Sequence, residues 1–264
     1  MTTEAFAPAK VNLSLHVTGQ RSDGYHLLDS LVVFVDVGDR LWFEAGPAMQ
    51  VEVTGPFKQG VPTDRRNLVW QAAELAGWTG LIRLEKNLPH GAGIGSGSSD
   101  AAAVLRTFGG HQGAATLGAD VPICLSSAAQ RMRGIGDVMD LVSPLPTMDI
   151  LLVNPSVPVP TGPIFNLLAS KDNAPMPDVI PEFESAGAFC QWLLEQRNDL
   201  EQPALQIAPQ IVEVLAALDD ALFARMSGSG ATCFGLYESG AKEAAQRIAQ
   251  ANPSWWVATG RLLS

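Results

Sequence analysis

One segment between residues 89 and 105 restricts the possible folds of this chain more than any other. It reads PHGAGIGSGSSDAAAVL, in which four glycines alternate with small residues before a run of strong helix formers. Glycine permits backbone conformations that a side chain forbids, so successive N–H groups can turn toward one ligand. A helix N-terminus adds unpaired N–H groups and the positive end of a dipole. The pattern predicts a loop that binds phosphate, although a simple turn and helix N-cap would use the same residues.

Two common nucleotide motifs do not match this loop. No Gly-Lys-Ser/Thr follows the last glycine, so it is not a Walker A loop. A dinucleotide fingerprint that begins at Gly91 needs a third glycine where Ser96 stands, and one that begins at Gly93 needs it where Ser98 stands. The spacing therefore disfavours a protein that binds a nicotinamide dinucleotide.

Composition narrows the class of protein further. The chain has 264 residues, of which 47% are hydrophobic and 17% charged, which is enough for two globular cores. Its net charge of −10 disfavours a surface for nucleic acid or anionic lipid. Three cysteines without a C-x-x-C spacing indicate reduced core residues, namely Cys124, Cys190 and Cys233. With no apparent signal peptide and no apolar run of ~20 residues, we expect a soluble cytoplasmic protein.

Hydrophobic periodicity predicts a mixture of strands and helices. Strands are expected over 5–17, from Leu27 to Val37, after a turn at Asp39, over 80–86, in a hairpin within 130–143, after Pro146, before Tyr237 and over 255–262. Helices are expected over 67–76, from Ser99 to Phe108, and over 185–197, 209–224 and 240–251, and a proline-rich loop over 155–163. Because strands and helices do not strictly alternate, the prediction is an α+β fold. Its two domains span residues 1–146 and 147–264, separated at Ser143-Pro144-Leu145-Pro146.

Several polar residues have two possible interpretations when taken singly. Lys10 and Asn12 share one face of the first strand, which alone predicts a solvated face of an antiparallel sheet. Asp120, in the segment GADVP, alone predicts a turn or a helix N-cap. Tyr25 and His26 follow an Asp-Gly turn, as ordinary edge-strand residues do.

Seven segments in one order favour a functional interpretation of these residues. They are PAKVNLSLHVTGQRSDGYHLLDS, NLVWQAA, LEKNLPHGAGIGSGSSDAA, LGADVP, RGIGD, PTGPIFN and SGSGAT. Together they resemble the GHMP small-molecule kinase superfamily, which includes galactokinase, homoserine kinase and mevalonate kinase. Within it, PAKVNL, DGYH and GADVP resemble the diphosphocytidyl-methylerythritol kinase family of the non-mevalonate isoprenoid pathway. The resemblance spans nearly the whole chain. It implies an N-terminal ribosomal-protein-like β-α domain, a C-terminal ferredoxin-like domain and an active site between them.

The resemblance also implies an activity and a set of site residues. The reaction would be ATP-dependent phosphorylation of the 2-hydroxyl of a diphosphocytidyl methylerythritol, with Mg²⁺ bridging the phosphates and no resident metal. Asp120 would be the catalytic carboxylate and Lys10 its cationic partner. The implied ATP-binding residues are Asn67, Lys86, Pro89, Gly91, Ala92, Gly93, Ile94, Gly95, Ser96, Gly97, Ser98 and Ser99. The implied substrate residues are Asn12, Tyr25, His26, Thr161, Phe165, Gly228, Ser229 and Gly230. Among these, Tyr25 and Phe165 would sandwich the cytosine and His26 would bond its edge.

Two departures from the family pattern accompany this resemblance. The connection from Thr107 to Thr116 is shorter than usual, and Val32 stands where some relatives have an aromatic residue. Two alternative functions stay open: a superfamily kinase for homoserine, mevalonate or a sugar, and a silent nucleotide-binding relative. The expected partner is a small molecule, without nucleic acid or membrane, and the sequence leaves monomer and homodimer open.

Overall fold

The computed structural model describes residues 2–263 and has the predicted α+β fold. The strands are β1 (Thr3–Asn12), β2 (His16–Gln20), β3 (His26–Ala45), β4 (Gln50–Thr54), β5 (Gly80–Glu85), β6 (Gln130–Gly134), β7 (Val138–Leu141), β8 (Asp149–Asn154), β9 (Phe223–Met226), β10 (Cys233–Tyr237) and β11 (Trp256–Leu263). The α-helices are α1 (Leu68–Leu75), α2 (Ser96–Phe108), α3 (Ala114–Leu117), α4 (Thr161–Asn166), α5 (Ala186–Leu194), α6 (Glu201–Ile207), α7 (Gln210–Ala217) and α8 (Ala241–Ala251). Within residues 2–263, no helix combines the length and the apolarity needed to cross a bilayer.

Two compact units divide the chain, and neither is continuous in sequence. Unit 1 contains the residues up to Lys10, Gly38–His90 and Gly95–Ser127. Unit 2 contains Val11–Val37, Gly91–Ile94 and the residues from Ala128 onward. The two compact units thus differ from the predicted domains, which are separated by a single boundary after residue 146. That boundary between sequence domains stays a prediction.

The glycine-rich segment lies in sequence between a strand and a helix of unit 1, and its residues Gly91–Ile94 belong to unit 2. In unit 1, β5 pairs with the C-terminal part of β3 in antiparallel register and with β4 in parallel register. The chain leaves β5, passes through the glycines and enters α2, which packs against α1. Ala101–Ala103 are fully buried in α2, and their small side chains allow close packing. Trp78 and Phe108 add an aromatic stack with ring centroids 4.8 Å apart.

Unit 2 contains a longer antiparallel array of strands. Its order runs from the N-terminal part of β3 through β11, β8 and β10 to β9. The β6–β7 hairpin, predicted over 130–143, pairs through β6 with β3. Buried aliphatic side chains from strands and helices form its core, among them Leu151, Val153, Ile211, Val214 and Ile248.

Three local predictions were wrong, each because a distant partner overrides the local pattern. The strand predicted over 5–17 is interrupted between β1 and β2, because Leu15 exchanges backbone hydrogen bonds with the segment 197–199. The turn predicted at Asp39 is absent, since β3 runs straight through this residue and buries it completely. The helix predicted over 209–224 ends at Ala217, because the Leu222 N–H donates to the Leu236 carbonyl at 2.9 Å, and Leu222 is 46% exposed.

Three helices lie where the sequence predicted none. The short α3 follows α2, α4 lies partly inside the proline-rich segment predicted as a loop over 155–163, and α6 precedes α7. Helix α2 begins at Ser96, three residues earlier than predicted, because Gly95 adopts a left-handed conformation and acts as its N-cap residue. The two loop serines before Ser99 therefore belong to the first turn of the helix.

Candidate active site

A lysine and an aspartate distant in sequence form an ion pair in unit 1. The Lys10 Nζ donates to Asp120 Oδ2 at 2.8 Å, and the two residues are 110 positions apart. The Lys10 side chain is 5% exposed and that of Asp120 is 40% exposed. The solvated face predicted for the strand is therefore wrong, because Lys10 is buried. Asp120 retains access to solvent, which a group that exchanges protons with a substrate requires.

The glycine-rich loop has the backbone that its spacing predicts. Gly91, Gly93 and Gly95 have φ angles of 57°, 74° and 62°, in the left-handed region that residues with side chains avoid. Alternation of such residues with ordinary ones turns successive N–H groups toward one side, which creates an anion-binding concavity. Among residues 2–263, no side chain makes a capping hydrogen bond at the N-terminus of α2, so the first N–H groups of this helix can donate to a ligand. This geometry supports a phosphate site over a simple turn.

The last loop glycine packs directly on the catalytic candidate. A Cβ on Gly95 would lie 3.1 Å from the Lys10 Cβ and 3.3 Å from its Cε. Both residues and Asp120 belong to unit 1. The end of the loop and the Lys10–Asp120 pair are thus brought together, as phosphoryl transfer from a loop-bound nucleotide requires.

The remaining residues of the loop alternate between buried anchors and accessible positions. Ala92 and Ile94 are buried, whereas Gly91 and Gly97 are exposed. Ser99 is fully buried, and its Oγ has no hydrogen-bond partner among residues 2–263. An unpartnered hydroxyl in the first turn of α2 fits a ligand with acceptor oxygens, since buried polar atoms normally have a partner.

Two predicted ATP-binding residues have their side chains engaged by the protein. Asn67 is the N-cap of α1: its Oδ1 accepts from the Val69 N–H at 3.0 Å and its Nδ2 donates to the Pro62 carbonyl at 2.7 Å. Lys86 is 2% exposed. Its role as an ATP ligand stays a prediction, and the contacts of its ammonium favour a structural role.

The Lys86 ammonium has three protein acceptors. It donates to Asp39 Oδ2, to Ser96 Oγ and, at 2.5 Å, to Asp100 Oδ2. A lysine has three N–H donors, so none is left for a nucleotide in this arrangement. Burial lowers the pKa of Lys86, but the charges of Asp100 and Asp39 outweigh it and raise that pKa above its ordinary value. We therefore assign Lys86 to the support of the loop rather than to its ligand.

A second glycine turn, SGSGAT at 227–232, contacts the first half of the loop within unit 2. The Ser227 Oγ accepts from the Asn12 N–H at 3.0 Å and donates to the Gly93 carbonyl at 2.9 Å. A Cβ on Gly93 would lie 2.3 Å from the Ser227 carbonyl oxygen, so this position requires glycine. Sequence reasoning did not assign a role to Ser227, although the repeated Ser-Gly pattern was the signal for it.

Polar substrate candidates are grouped around that turn. The Asn12 Nδ2 donates to Ser30 Oγ at 2.7 Å, and its Oδ1 lies 3.3 Å from the position of a Cβ on Gly228. Thr161, the first residue of α4, shares a hydrogen bond of 2.9 Å with Ser229 Oγ. Gly228 and Gly230 of the same turn both have left-handed φ angles, 55° and 88°.

The aromatic candidates belong to unit 2, and their sandwich around a cytosine stays a prediction. The His26 ring stacks on Phe165, with centroids 4.5 Å apart and planes at 24°, whereas Tyr25 is 59% exposed. The His26 Nε2 is buried without a hydrogen-bond partner among residues 2–263. Burial and the nearby charge of Lys171 lower the pKa of His26, which keeps the ring neutral at pH 7. A neutral ring with an unpartnered nitrogen is suited to the polar edge of a base.

Comparison with known proteins places these features in one family. The model of the GHMP kinases N terminal domain matches residues 67–139, and that of the GHMP kinases C terminal region matches residues 180–254. A 4-diphosphocytidyl-2-C-methyl-D-erythritol kinase of Dinoroseobacter shibae is 52% identical over 96% of this chain and 92% of its own. One of Paracoccus denitrificans is also 52% identical, over 97% of this chain and 95% of its own. The chain belongs to the GHMP kinase family. The predicted resemblance is thereby confirmed.

Solved structures agree with this assignment. A crystal structure of 4-(cytidine 5'-diphospho)-2C-methyl-D-erythritol kinase matches with a TM-score of 0.75 and 32% identity, over 99% of this chain and 100% of the other. Homoserine kinase from Cytophaga hutchinsonii matches with a TM-score of 0.63 and 21% identity, over 99% and 95% of the two chains. The second match shows a shared fold, and the first shares both fold and sequence with this GHMP kinase.

Proposed function

We propose that this GHMP kinase transfers the γ-phosphoryl group of ATP to the 2-hydroxyl of 4-diphosphocytidyl-2-C-methyl-D-erythritol. Kinases named for this substrate share about half of its residues over nearly the full length. The observation that carries the proposal is the Lys10–Asp120 pair packed against Gly95 at the end of the glycine loop. A buried ammonium and an accessible carboxylate beside a phosphate loop are the groups that this reaction needs.

The chemistry assigns each group of the pair one task. The substrate oxygen forms a bond to the γ-phosphorus while the bond from that phosphorus to the bridging oxygen breaks, and ADP leaves. Asp120 accepts the hydroxyl proton as the new bond forms. Lys10, whose Nζ lies 2.8 Å from Asp120 Oδ2, offsets the negative charge that develops on the attacking oxygen.

ATP is the co-substrate, as membership of a kinase family implies. We assign its phosphates to residues 91–97, which form the loop ending at Gly95 and the start of α2, and the N–H groups there and the hydroxyls of Ser98 and Ser99 would donate to phosphate oxygens. Asn67 and Pro89 remain proposed contacts at the nucleoside end. Phosphoryl transfer depends mainly on such positioning and on charge neutralisation.

Mg²⁺ would accompany the nucleotide. Mg²⁺ is usually bound through one or two carboxylates and the substrate phosphates rather than in an all-protein cage. Among residues 2–263, no group of three or more His, Cys, Asp or Glu side chains could hold a metal ion. Asp120 is the carboxylate available beside the loop. When bound, the ion supplies charge neutralisation on the phosphates.

The cytidyl end is assigned to the aromatic group of unit 2. Stacking accepts any base, so discrimination depends on hydrogen bonds to the edge of the ring. His26 has the unpartnered nitrogen for that bond, and Phe165 has the stacking face. Tyr25, exposed on the preceding turn, would cover the opposite face of the base once it is bound. Asn12, Thr161 and the Gly228–Gly230 turn would contact the polyol part.

We place the enzyme in the cytoplasm, where its three free cysteines would stay reduced.

A coupled assay of ADP release tests the proposal. We expect turnover with the purified diphosphocytidyl substrate and little with homoserine, mevalonate or galactose at the same concentration. CMP should compete with the cytidyl substrate and leave the KM for ATP unchanged. Faster turnover of one of the other alcohols would identify a different GHMP kinase, and ATP binding without any alcohol-dependent turnover would identify a silent relative.

A further inference from the structure

Asp39 lies at the centre of an unusual set of hydrogen bonds. It stands in the middle of β3 and has no exposed surface. Its Oδ1 accepts from the backbone N–H groups of Asn87, at 2.5 Å, and Leu88, at 2.9 Å. Its Oδ2 accepts from Lys86 Nζ and from the Ser96 hydroxyl, the latter at 3.0 Å. One carboxylate therefore receives four donors, all from residues 86–96.

The four donors belong to the two ends of the glycine loop. Asn87 and Leu88 directly precede Pro89, where the loop begins, and Ser96 directly follows Gly95, where it ends. Asp39 thus joins the residues before the loop to the residue that follows it. All of these bonds lie within unit 1.

A loop with three left-handed glycines benefits from such a connection. Ordering a backbone costs about 1–2 kcal/mol per residue, and glycine loses more conformational freedom than other residues. If that ordering took place only when ATP binds, it would weaken binding. Asp39 joins the two ends of the loop already in the free protein. This limits the conformations open to the loop, so its N–H groups point toward the phosphate site before ATP binds.

The charges around Asp39 are arranged to balance. A lone carboxylate beneath a triphosphate site would repel the ligand, and Lys86 neutralises it. Burial, together with the charge of Asp39, raises the pKa of Asp100 to about 8, although the charge of Lys86 opposes the rise. With a raised pKa, Asp100 adds less negative charge to this cluster than an ordinary aspartate would.

We propose that Asp39 is a positioning residue for the phosphoryl donor, which holds both ends of the nucleotide loop while Lys86 neutralises its charge. This inference rests on the proposed function, because it takes the loop to be the ATP phosphate site. Asp39 itself touches no ligand. It acts through the backbone of the loop, so its loss should weaken ATP binding more than it slows the chemical step.

The test compares Asp39→Asn with Asp29→Asn. Asp29 lies in the same strand, is 2% exposed and pairs with a buried arginine, Arg131, at 2.6 Å, but its hydrogen bonds go to Arg131 and Met176 rather than to the loop. Both variants should lose thermal stability. In Asp39→Asn alone, we expect the KM for ATP to rise about tenfold, with kcat at saturating ATP within about twofold of the parent.

Hydrogen exchange gives a readout that does not depend on turnover. Amides of residues 91–97 should exchange faster in Asp39→Asn than in Asp29→Asn without any nucleotide. If Asp39→Asn does not fold, Asp39→Asn/Lys86→Met also removes the ammonium that has lost one of its two carboxylate partners, and should restore folding with the KM for ATP still raised. An unchanged KM for ATP and unchanged exchange in the Asp39 variants would overturn the inference. Absence of ATP binding and turnover in the parent enzyme would instead refute the proposed function.

Discussion

Two buried lysines in unit 1 differ in the exposure and the number of their carboxylate partners. Lys10 pairs with Asp120, whose side chain is 40% exposed. Lys86 lies between Asp39 and Asp100, whose side chains are 0% and 4% exposed, and also donates to Ser96. The first arrangement leaves a carboxylate in contact with solvent. The second satisfies every donor of its ammonium inside the protein.

The difference separates chemistry from support. A group that takes a proton from a substrate must be reachable and must change its protonation state during the reaction. A group that maintains the shape of a loop works best when its bonds are complete and do not change. Both lysines lie in motifs beside the glycine loop, and sequence resemblance assigned both to the site. Burial and partner number distinguish them.

Asp120→Asn should have the largest effect, and it tests the catalytic side of this comparison. The amide cannot accept the hydroxyl proton, so we expect kcat to fall by about 10²–10⁴-fold, as is typical for loss of a general base. Binding of ATP and of the cytidyl substrate, measured by calorimetry, should change little. A similar loss of binding and turnover would mean that Asp120 is only a turn residue.

Lys86 should matter more than Lys10 for stability, and Lys10 should matter more for turnover. Removal of one partner from a buried ion pair costs about 3–5 kcal/mol, so Lys86→Met should lower the free energy of unfolding by that amount. Lys10→Met should cost about 1 kcal/mol, because Asp120 can be hydrated, yet it should abolish most turnover. Urea unfolding and steady-state kinetics on both variants check this. Equal losses of stability would contradict the distinction.

His26 extends the comparison to a half-buried side chain whose Nε2 is buried without a hydrogen-bond partner among residues 2–263. If its Nε2 bonds the cytosine edge, His26→Ala should raise the KM for the cytidyl substrate by about tenfold, since a lost hydrogen bond of this kind costs 1–2 kcal/mol. The KM for ATP should stay within about twofold. Phe165→Leu is a useful companion, because it removes the stacking face but keeps the apolar volume. Equal increases of both KM values in His26→Ala would disprove the cytosine assignment.

The last prediction concerns the pH dependence of stability that the buried cluster causes. The pKa of Asp100 is raised to about 8, first by burial, from the ordinary 3.8. Between these values the folded protein keeps a proton that the unfolded chain has released. The stability from this group is therefore complete below pH about 4 and is lost as the pH rises toward 8.

Asp100→Asn should remove that dependence. Relative to the parent, the variant should gain ~1 kcal/mol of unfolding free energy per pH unit between about pH 5 and pH 8. Urea unfolding at several pH values measures the difference. His16, whose pKa is lowered by burial, is present in both proteins, so its contribution cancels. Parallel stability curves would show that Asp100 is ionised in the folded protein.

Asp39 illustrates where prediction from sequence stops. Asp is common in turns, and the local pattern predicted a turn there. Its partners, however, are residues 47 to 57 positions further along the chain. Local propensity carries no information about such donors. An aspartate within a long apolar run was the one available signal, and it has meaning only if the run is a single strand.

The sequence by itself determined the glycine loop, the helix behind it and the family, because glycine conformation, helix propensity and motif order are local or linear properties. Only the tertiary structure decided which charged residues are accessible and which are satisfied. It brought Asp120 to Lys10 and closed the loop base on Asp39. Burial and hydrogen-bond partners depend on segments far apart in the chain, so they exist only once the chain has folded.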